Sequence, residues 1–258
     1  LKRRQWLKTA ASAVFGAQAT AFAQGVPGPA APARVAVASS VQAAMEALAP
    51  AFTRATGHRL VLSFGASGNL VRQIGQGMPV DLFLSADEEF ANRLAQSGWA
   101  RDAGVVYATG RLALVVARGT SIALDPRLEG LKAGWAGVRK FAIANPQLAP
   151  YGKAAREVLQ TLGLWDSAQP RLVLGENVAQ AAQFVASGSA EAGFTALSLV
   201  EGRGDVTWRG HVAVDRALHS SLRQRMVLRR EAGPAAIAFY EYLQTPAARA
   251  VLQSHGFG

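Results

Sequence analysis

Apolar residues along the chain fall into two alternating spacings, short continuous runs and longer stretches with a single apolar face, joined by small polar residues. Val35 and Val37, with small residues around them, predict a first strand that ends at Ser39-Ser40. Val41, Ala44, Met45, Leu48 and Phe52 follow at i, i+3, i+4, i+7 and i+11, the spacing of one helix face. Either serine is a natural N-cap for that helix, but capping explains one of them and not both. The most informative stretch runs from Arg59 to Asp87. Leu60, Val61, Leu62 and Phe64 form an apolar run that stops at Gly65-Ala66-Ser67-Gly68-Asn69, after which Leu70, Val71 and Ile74 recur at helical spacing as far as Gly75 and Gly77. Asp81-Leu82-Phe83-Leu84-Ser85-Ala86-Asp87 then predicts a buried strand and a second helix start, which completes a βαβ unit. Asp81 and Asp87 read as turn or cap residues.

The same alternation continues. A helix is expected from Asp87 to Ser97, strands over Leu112 to Val116 and Val138 to Ala144, and a helix from Gly152 to Leu162 that starts after Pro150-Tyr151. Leu172 to Leu174 predicts a short strand running into Gly175-Glu176-Asn177-Val178, where another helix begins, and Ala190 to Thr195 a further strand. The last part, Leu222 to Gly258, holds one strand and two helices, with Ile237, Tyr240 and Leu243 expected inward on the first helix. The two series separate near Gly110 and rejoin near Asp215, which predicts an α/β fold of two lobes, residues 34–110 with 216–258 and residues 111–215. No internal sequence repeat is visible. Ligands of open α/β sheets sit beyond the carboxyl ends of strands, so a cleft between two such lobes would gather Ser39, Ser40, Ser67, Tyr151 and Val178.

Composition narrows the classes. Lys2-Arg3-Arg4 precede an uncharged, small-residue segment, Thr9 to Ala23, that ends in the Ala-x-Ala pattern Ala21-Phe22-Ala23. Residues 1–23 are therefore expected to be an export signal cleaved near Ala23, and Arg3-Arg4-Gln5-Trp6-Leu7-Lys8 is similar to a twin-arginine signal. At 15 residues the segment is shorter than the roughly 20 that span a bilayer. Residues 24–33, with three prolines, read as a linker, and the fold should begin at Arg34. A periplasmic protein follows. The absence of cysteine removes disulfides, thiol nucleophiles and cysteine metal sites. Four of the charges behind the net +10 lie in the signal (Lys2, Arg3, Arg4, Lys8), so the remainder carries about +6. In its one arginine cluster, Arg223, Arg225, Arg229 and Arg230, the first two alternate with Gln224 and Met226 as on a strand face; without aromatic interleaving the cluster reads as a solvated or docking face, not a nucleic-acid site.

The turns hold hydrogen-bond donors and no charge. Where a strand feeds a helix through small residues, free N–H groups and a serine hydroxyl converge in front of the positive end of the helix dipole, a place suited to a small anion. A fully ionised tetrahedral oxyanion only accepts hydrogen bonds and is satisfied by donors alone, whereas a phosphate site gains from a carboxylate acceptor that neither loop presents. The rival is an enzyme. Gly65-Ala66-Ser67-Gly68-Asn69 is close to the Gly-x-Ser-x-Gly nucleophile elbow, but Asn69 stands at the last glycine and His58, His211, His219 and His255 lie in no partner or metal-binding motif.

On Ala38-Ser39-Ser40, on Ser63 to Ile74 (Ser-Phe-Gly-Ala-Ser-Gly-Asn-Leu-Val-Arg-Gln-Ile), on Pro79 to Asp87 and on the closing Gly256-Phe257, the chain resembles the periplasmic molybdate-binding proteins of ABC importers. The resemblance implies a type II periplasmic binding protein fold that closes about a hinge, no enzymatic activity, no cofactor, and a monomer that passes molybdate or tungstate to an inner-membrane permease. It also implies the ligand set: Ser40 with Ser39 beside it, Ser67, Tyr151, and the backbone N–H of Val178. Some members place a tyrosine where this chain has Ala196, so the phenol is expected from Tyr151. The alternative within the same fold is another anion, sulfate or phosphate.

Overall fold

The computed structural model describes residues 31–201 and 208–258; the expected export segment and residues 24–30 of the expected linker lie outside the described residues. The first elements are β1 (Ala33–Ala38), α1 (Gln42–Thr56), β2 (Leu60–Gly65), α2 (Ser67–Gly75), β3 (Leu82–Leu84), α3 (Glu88–Gln96) and β4 (Val105–Gly110). The middle of the chain adds β5 (Leu112–Ala117), α4 (Glu129–Gly134), β6 (Phe141–Ala144), α5 (Pro150–Thr161), α6 (Trp165–Ala168), β7 (Leu172–Gly175), α7 (Val178–Ala186), β8 (Ala192–Ala196) and β9 (Trp208–Ala213). The last elements are β10 (Leu222–Leu228), α8 (Pro234–Tyr242) and α9 (Pro246–Ser254).

The described strands form two five-stranded mixed sheets, in the orders β2-β1-β3-β10-β4 and β7-β6-β8-β5-β9. In the first, β1 lies parallel between β2 and β3, and β10 runs antiparallel to β3 and β4. In the second, β6 lies parallel between β7 and β8, and β5 runs antiparallel to β8 and β9. The chain crosses from one sheet to the other between Gly110 and Leu112 and returns after Ala213.

Spacing explains what each helix buries. Val41, Ala44, Met45, Leu48 and Phe52 are all fully buried, as their periodicity predicts, and each of the large ones contributes about 1.5–3 kcal/mol by leaving water. Phe52 packs on Phe239 and Tyr242, which ties α8 back to the first lobe. The carboxyl end does the same: Thr109 N–H donates to Gly258 O at 2.8 Å, Gly258 N–H donates to Thr109 O at 2.9 Å, and Phe257 is buried.

Several boundaries differ from those the pattern predicts. The helix expected from Gly152 begins at Pro150, because proline has no N–H to lose and its φ suits the first helical position. The strand expected from Val138 begins at Phe141, since a 3-10 turn occupies Trp135–Gly137 and Val138 N–H bonds back to Trp135 O at 3.0 Å. On α8 and just after it Tyr240 and Leu243 are buried as expected, together with Ala235, Ala236 and Phe239, while Ile237 is only half-buried. Strands β4 and β9 and helix α4 carry no clear periodicity and are not marked by the pattern.

Candidate functional site

Four helical segments start at one point. The 3-10 turn Ser39–Val41 follows β1 and leads into α1, α2 follows β2, α5 follows β6 by a short loop, and α7 follows β7. Between these starts lies a small cavity, lined by Ser39, Ser40, Gly65, Ala66, Ser67, Ala149, Pro150, Tyr151 and Val178 with Ala38 and Ala86. All five residues singled out from the sequence are thus brought together, and all are at least 96% buried. No charged side chain lines the cavity. Ala196, at the end of β8, is buried but does not line it.

The serines are not helix caps. Ser67 is the first residue of α2, whose N-cap is Ala66, and neither the Ser39–Val41 turn nor α1 nor α2 has a side-chain cap. The Ser67 hydroxyl instead accepts a hydrogen bond from Ala86 N–H at 3.0 Å, which occupies a lone pair and leaves its proton for a partner in the cavity. α5 likewise lacks a side-chain cap, so the N–H groups of its first turn are available to a ligand. At α7 the cap is Asn177, whose Oδ1 accepts from Ala179 and Gln180 N–H at 3.0 and 3.1 Å and not from Val178. The Val178 carbonyl accepts from the Thr195 hydroxyl at 3.0 Å, which fixes the peptide that begins the helix.

The two lobes touch around the cavity. Gly68 N–H donates to Leu148 O at 2.9 Å, and the Ser198 hydroxyl donates to Ser40 O at 2.6 Å. A Cβ on Gly68 would lie 2.9 Å from Leu148 O and 2.8 Å from Phe90 Cζ, so glycine is what permits this approach. Burial pushes the Tyr151 phenol well above its usual pKa, against hydrogen bonds from Ser40, Gln224 and the Arg111 backbone that pull it down. The group is therefore a neutral O–H, able to donate.

Sequence reasoning did not find Gln224, which is fully buried on β10 and donates Nε2 to Tyr151 Oη at 3.1 Å and to Ser40 Oγ at 3.4 Å. Its Oε1 accepts from the Tyr107 hydroxyl at 2.8 Å. A signal was available: in Leu222-Arg223-Gln224-Arg225-Met226 the alternation puts Gln224 on the inward side, where an amide needs polar partners.

The charged residues lie beside the cavity, not in it. Asp87 caps α3 by accepting from Phe90 N–H at 3.0 Å, and Asp81 accepts from Arg34 N–H and pairs with Arg229, both at 3.0 Å. Arg223 and Arg225 share the Glu88 carboxylate at 2.7 and 2.5 Å, and Arg230 reaches Gly98 O. Burial is the largest influence on Asp87 and raises its carboxyl, while the two arginines hold Glu88 below the ordinary carboxylate range. Glu176 is exposed. No histidine lines the cavity near Ser67, so the nucleophile-elbow reading has no base to work with, and among the described residues no group of three or more His, Asp or Glu could hold a metal.

Comparisons with known proteins give the family of the chain. A family model described as bacterial extracellular solute-binding protein matches residues 33–258. The molybdate-binding protein ModA of Azotobacter vinelandii is 38% identical over 228 residues, 87% of this chain and 89% of that protein. The molybdate-binding protein ModA of Rhodobacter capsulatus is 36% identical over 248 residues, 94% of this chain and 95% of that protein. The solved structure of the Azotobacter vinelandii periplasmic molybdate-binding protein superposes with a TM-score of 0.79 at 33% identity, over 88% of this chain and 98% of that one. These relatives bind solutes and are not enzymes, and they share the two-lobed fold, so the hydrolase alternative falls. With a match that spans both sheets and every loop that meets at the cavity, the chain belongs to the bacterial extracellular solute-binding protein family.

Proposed function

We propose that this chain captures molybdate outside the cytoplasm and delivers it to the permease of an ABC importer. One observation carries the reading: a small cavity ringed by four helical starts, lined with hydroxyls and backbone amides and with no charged side chain in its lining. A dianion that only accepts hydrogen bonds is satisfied there completely, and oriented amides at helix starts balance its charge without a salt bridge. The hydroxyls of Ser39, Ser40, Ser67 and Tyr151 and the N–H of Val178 form the donor shell. Residues 34–110 with 216–258 act as one lobe and 111–215 as the other, moving about the crossings near Gly110 and Asp215; hinge closure is the usual mode of such proteins. Tungstate, of the same charge and geometry, binds as well, and the protein works as a monomer. Residues 1–23 direct export; among the described residues no helix is long and apolar enough to cross a membrane.

Isothermal titration calorimetry against molybdate, tungstate, sulfate and phosphate tests this. Molybdate and tungstate should bind tightly, sulfate weakly for its smaller size, and phosphate not detectably, because the proton on its monohydrogen form meets no carboxylate. A preference for sulfate or phosphate, or no heat with any of the four, would refute the assignment.

A further inference from the structure

We infer that Gln224 is a positioning residue that directs a proton of the Ser40–Tyr151 hydroxyl pair toward the bound anion, and that Tyr107 holds Gln224 in the required orientation. The inference rests on the oxyanion reading above and adds the element that gives the site its polarity.

The argument is a proton count. Each hydroxyl has one proton and two lone pairs, and a glutamine amide has one acceptor and two donor hydrogens. The Tyr107 proton goes to Gln224 Oε1 at 2.8 Å, with Ser85 O a longer second partner at 3.2 Å. Both Nε2 hydrogens then point at the site, to Tyr151 Oη and Ser40 Oγ. Ser40 and Tyr151 also share a hydrogen bond, so with both oxygens accepting from the amide one hydroxyl proton closes that contact and the other is left for the cavity that both residues line. Turned over, the amide would present Oε1 to the same two hydroxyls and draw their protons away from the anion.

The fold is arranged around this contact. Gln224 pairs with Ala108 and Arg225 with Val106, so Tyr107 is the extra residue of a β-bulge opposite the Gln224/Arg225 step. In a regular strand Tyr107 and Ala108 would face opposite sides; here both are buried. Bulges re-aim side chains in this way, often beside a functional site. Gly110 keeps room for the pair, since a Cβ there would collide with Tyr151 Oη and lie 2.7 Å from Gln224 Nε2. Gln224 and Ser40 both belong to the first lobe and Tyr151 to the helix over the second sheet, so the Tyr151 hydroxyl joins this network only when the lobes meet.

Three variants separate a donor role from packing: Gln224→Glu, Gln224→Met and Tyr107→Phe, each titrated with sodium molybdate and melted without ligand. Glutamate matches glutamine in shape, so packing alone ranks it above methionine. A donor role ranks it below, because a carboxylate takes both hydroxyl protons, a neutral carboxylic acid takes one, and methionine takes neither. Gln224→Glu should lose at least about tenfold in affinity, Gln224→Met less, and Tyr107→Phe about three- to tenfold. Glutamate binding as tightly as glutamine, or more tightly than methionine, would overturn the inference. Should the position 224 variants not fold, Tyr107→Phe decides: unchanged affinity overturns it. Failure of the unaltered protein to bind molybdate would instead refute the proposed function.

Discussion

The two sheets are topological counterparts that supply different chemistry. In each, the second strand (β1 or β6) lies parallel to both neighbours and two further strands follow in antiparallel pairing. Equivalent strands, β1 and β2 in one lobe and β6 and β7 in the other, precede the four helical starts at the cavity. Yet the first lobe brings serine hydroxyls at those starts, and the second brings a proline-initiated helix with a phenol and a valine whose side chain has no polar atom. What the halves share is the placement of helix ends beyond parallel strands, a property of backbone topology. What they do not share is side-chain chemistry, which explains why no repeat is visible in the sequence. A donor shell assembled from both should respond to substitution in opposite ways on its two sides.

The largest effect is expected where a side chain supplies the donor. Ser67→Ala removes a charge-assisted hydrogen bond worth about 1.5–3 kcal/mol, so molybdate affinity should fall about ten- to a hundredfold. It also leaves the buried Ala86 N–H without the acceptor it has at 3.0 Å, so the ligand-free melting temperature should drop too. Ser67→Asp keeps an acceptor for Ala86 but sets a carboxylate against the dianion; binding should fall by at least about a thousandfold, with like charges close together in a site shielded from water. Calorimetry and thermal melting of both variants check the pair of outcomes. An aspartate variant that bound molybdate as well as the alanine variant would remove the case for an uncharged site.

On the other side one proposed donor, the Val178 N–H beside the Tyr151 phenol, is the chain itself. Val178→Ala should leave affinity within about threefold, because the N–H remains and only buried apolar contact is lost. Val178→Pro deletes the N–H at the first position of α7, where proline is tolerated, and Asn177 at φ −143°, ψ 174° already has the extended conformation that precedes proline. Affinity should fall about ten- to a hundredfold while the helix persists, measurable by calorimetry beside far-ultraviolet circular dichroism. Equal affinities for the alanine and proline variants would mean that Val178 lines the cavity without donating.

This division also sets what the sequence could disclose. The first lobe was legible because its strands run straight into serines, so apolar run, polar turn and helical spacing appear together in Ser63 to Ile74. Tyr151 and Val178 were legible as positions but less so as roles: a phenol inside a helical turn and a valine at a helix start look like core. Gln224 lay in a strand whose arginines drew attention to the outer face, and its partner Tyr107 sits on a bulge in β4, where alternation fails. Mixed or broken periodicity hid β4 and β9, which lack the regular contrast that marks a buried side. The contact between lobes was not readable at all, because Gly68 N–H to Leu148 O and Ser198 to Ser40 O involve main-chain atoms of distant segments.

The smallest effect concerns charge at the rim, where the halves also meet. Glu89 on α3 pairs with Lys153 on α5 at 3.3 Å and with Arg93 at 2.5 Å, and hydrogen bonds from Arg93 first and Lys153 second hold its carboxyl below the ordinary range. All three side chains are about half exposed, so the pairs contribute less than about 1 kcal/mol. A carboxyl lowered in the folded state stabilises fully above its unfolded pKa, and that contribution is lost as pH falls through the lowered value. Glu89→Gln should therefore melt at most about 2 °C below the unaltered protein at pH 7, with the gap closing once the pH drops below the ordinary carboxylate range. Molybdate affinity at pH 7 should change less than about threefold, in contrast to every substitution inside the cavity. A Glu89→Gln variant that lost affinity as severely as Ser67→Ala would place the decisive interaction at the rim between the lobes and not in the uncharged shell they enclose.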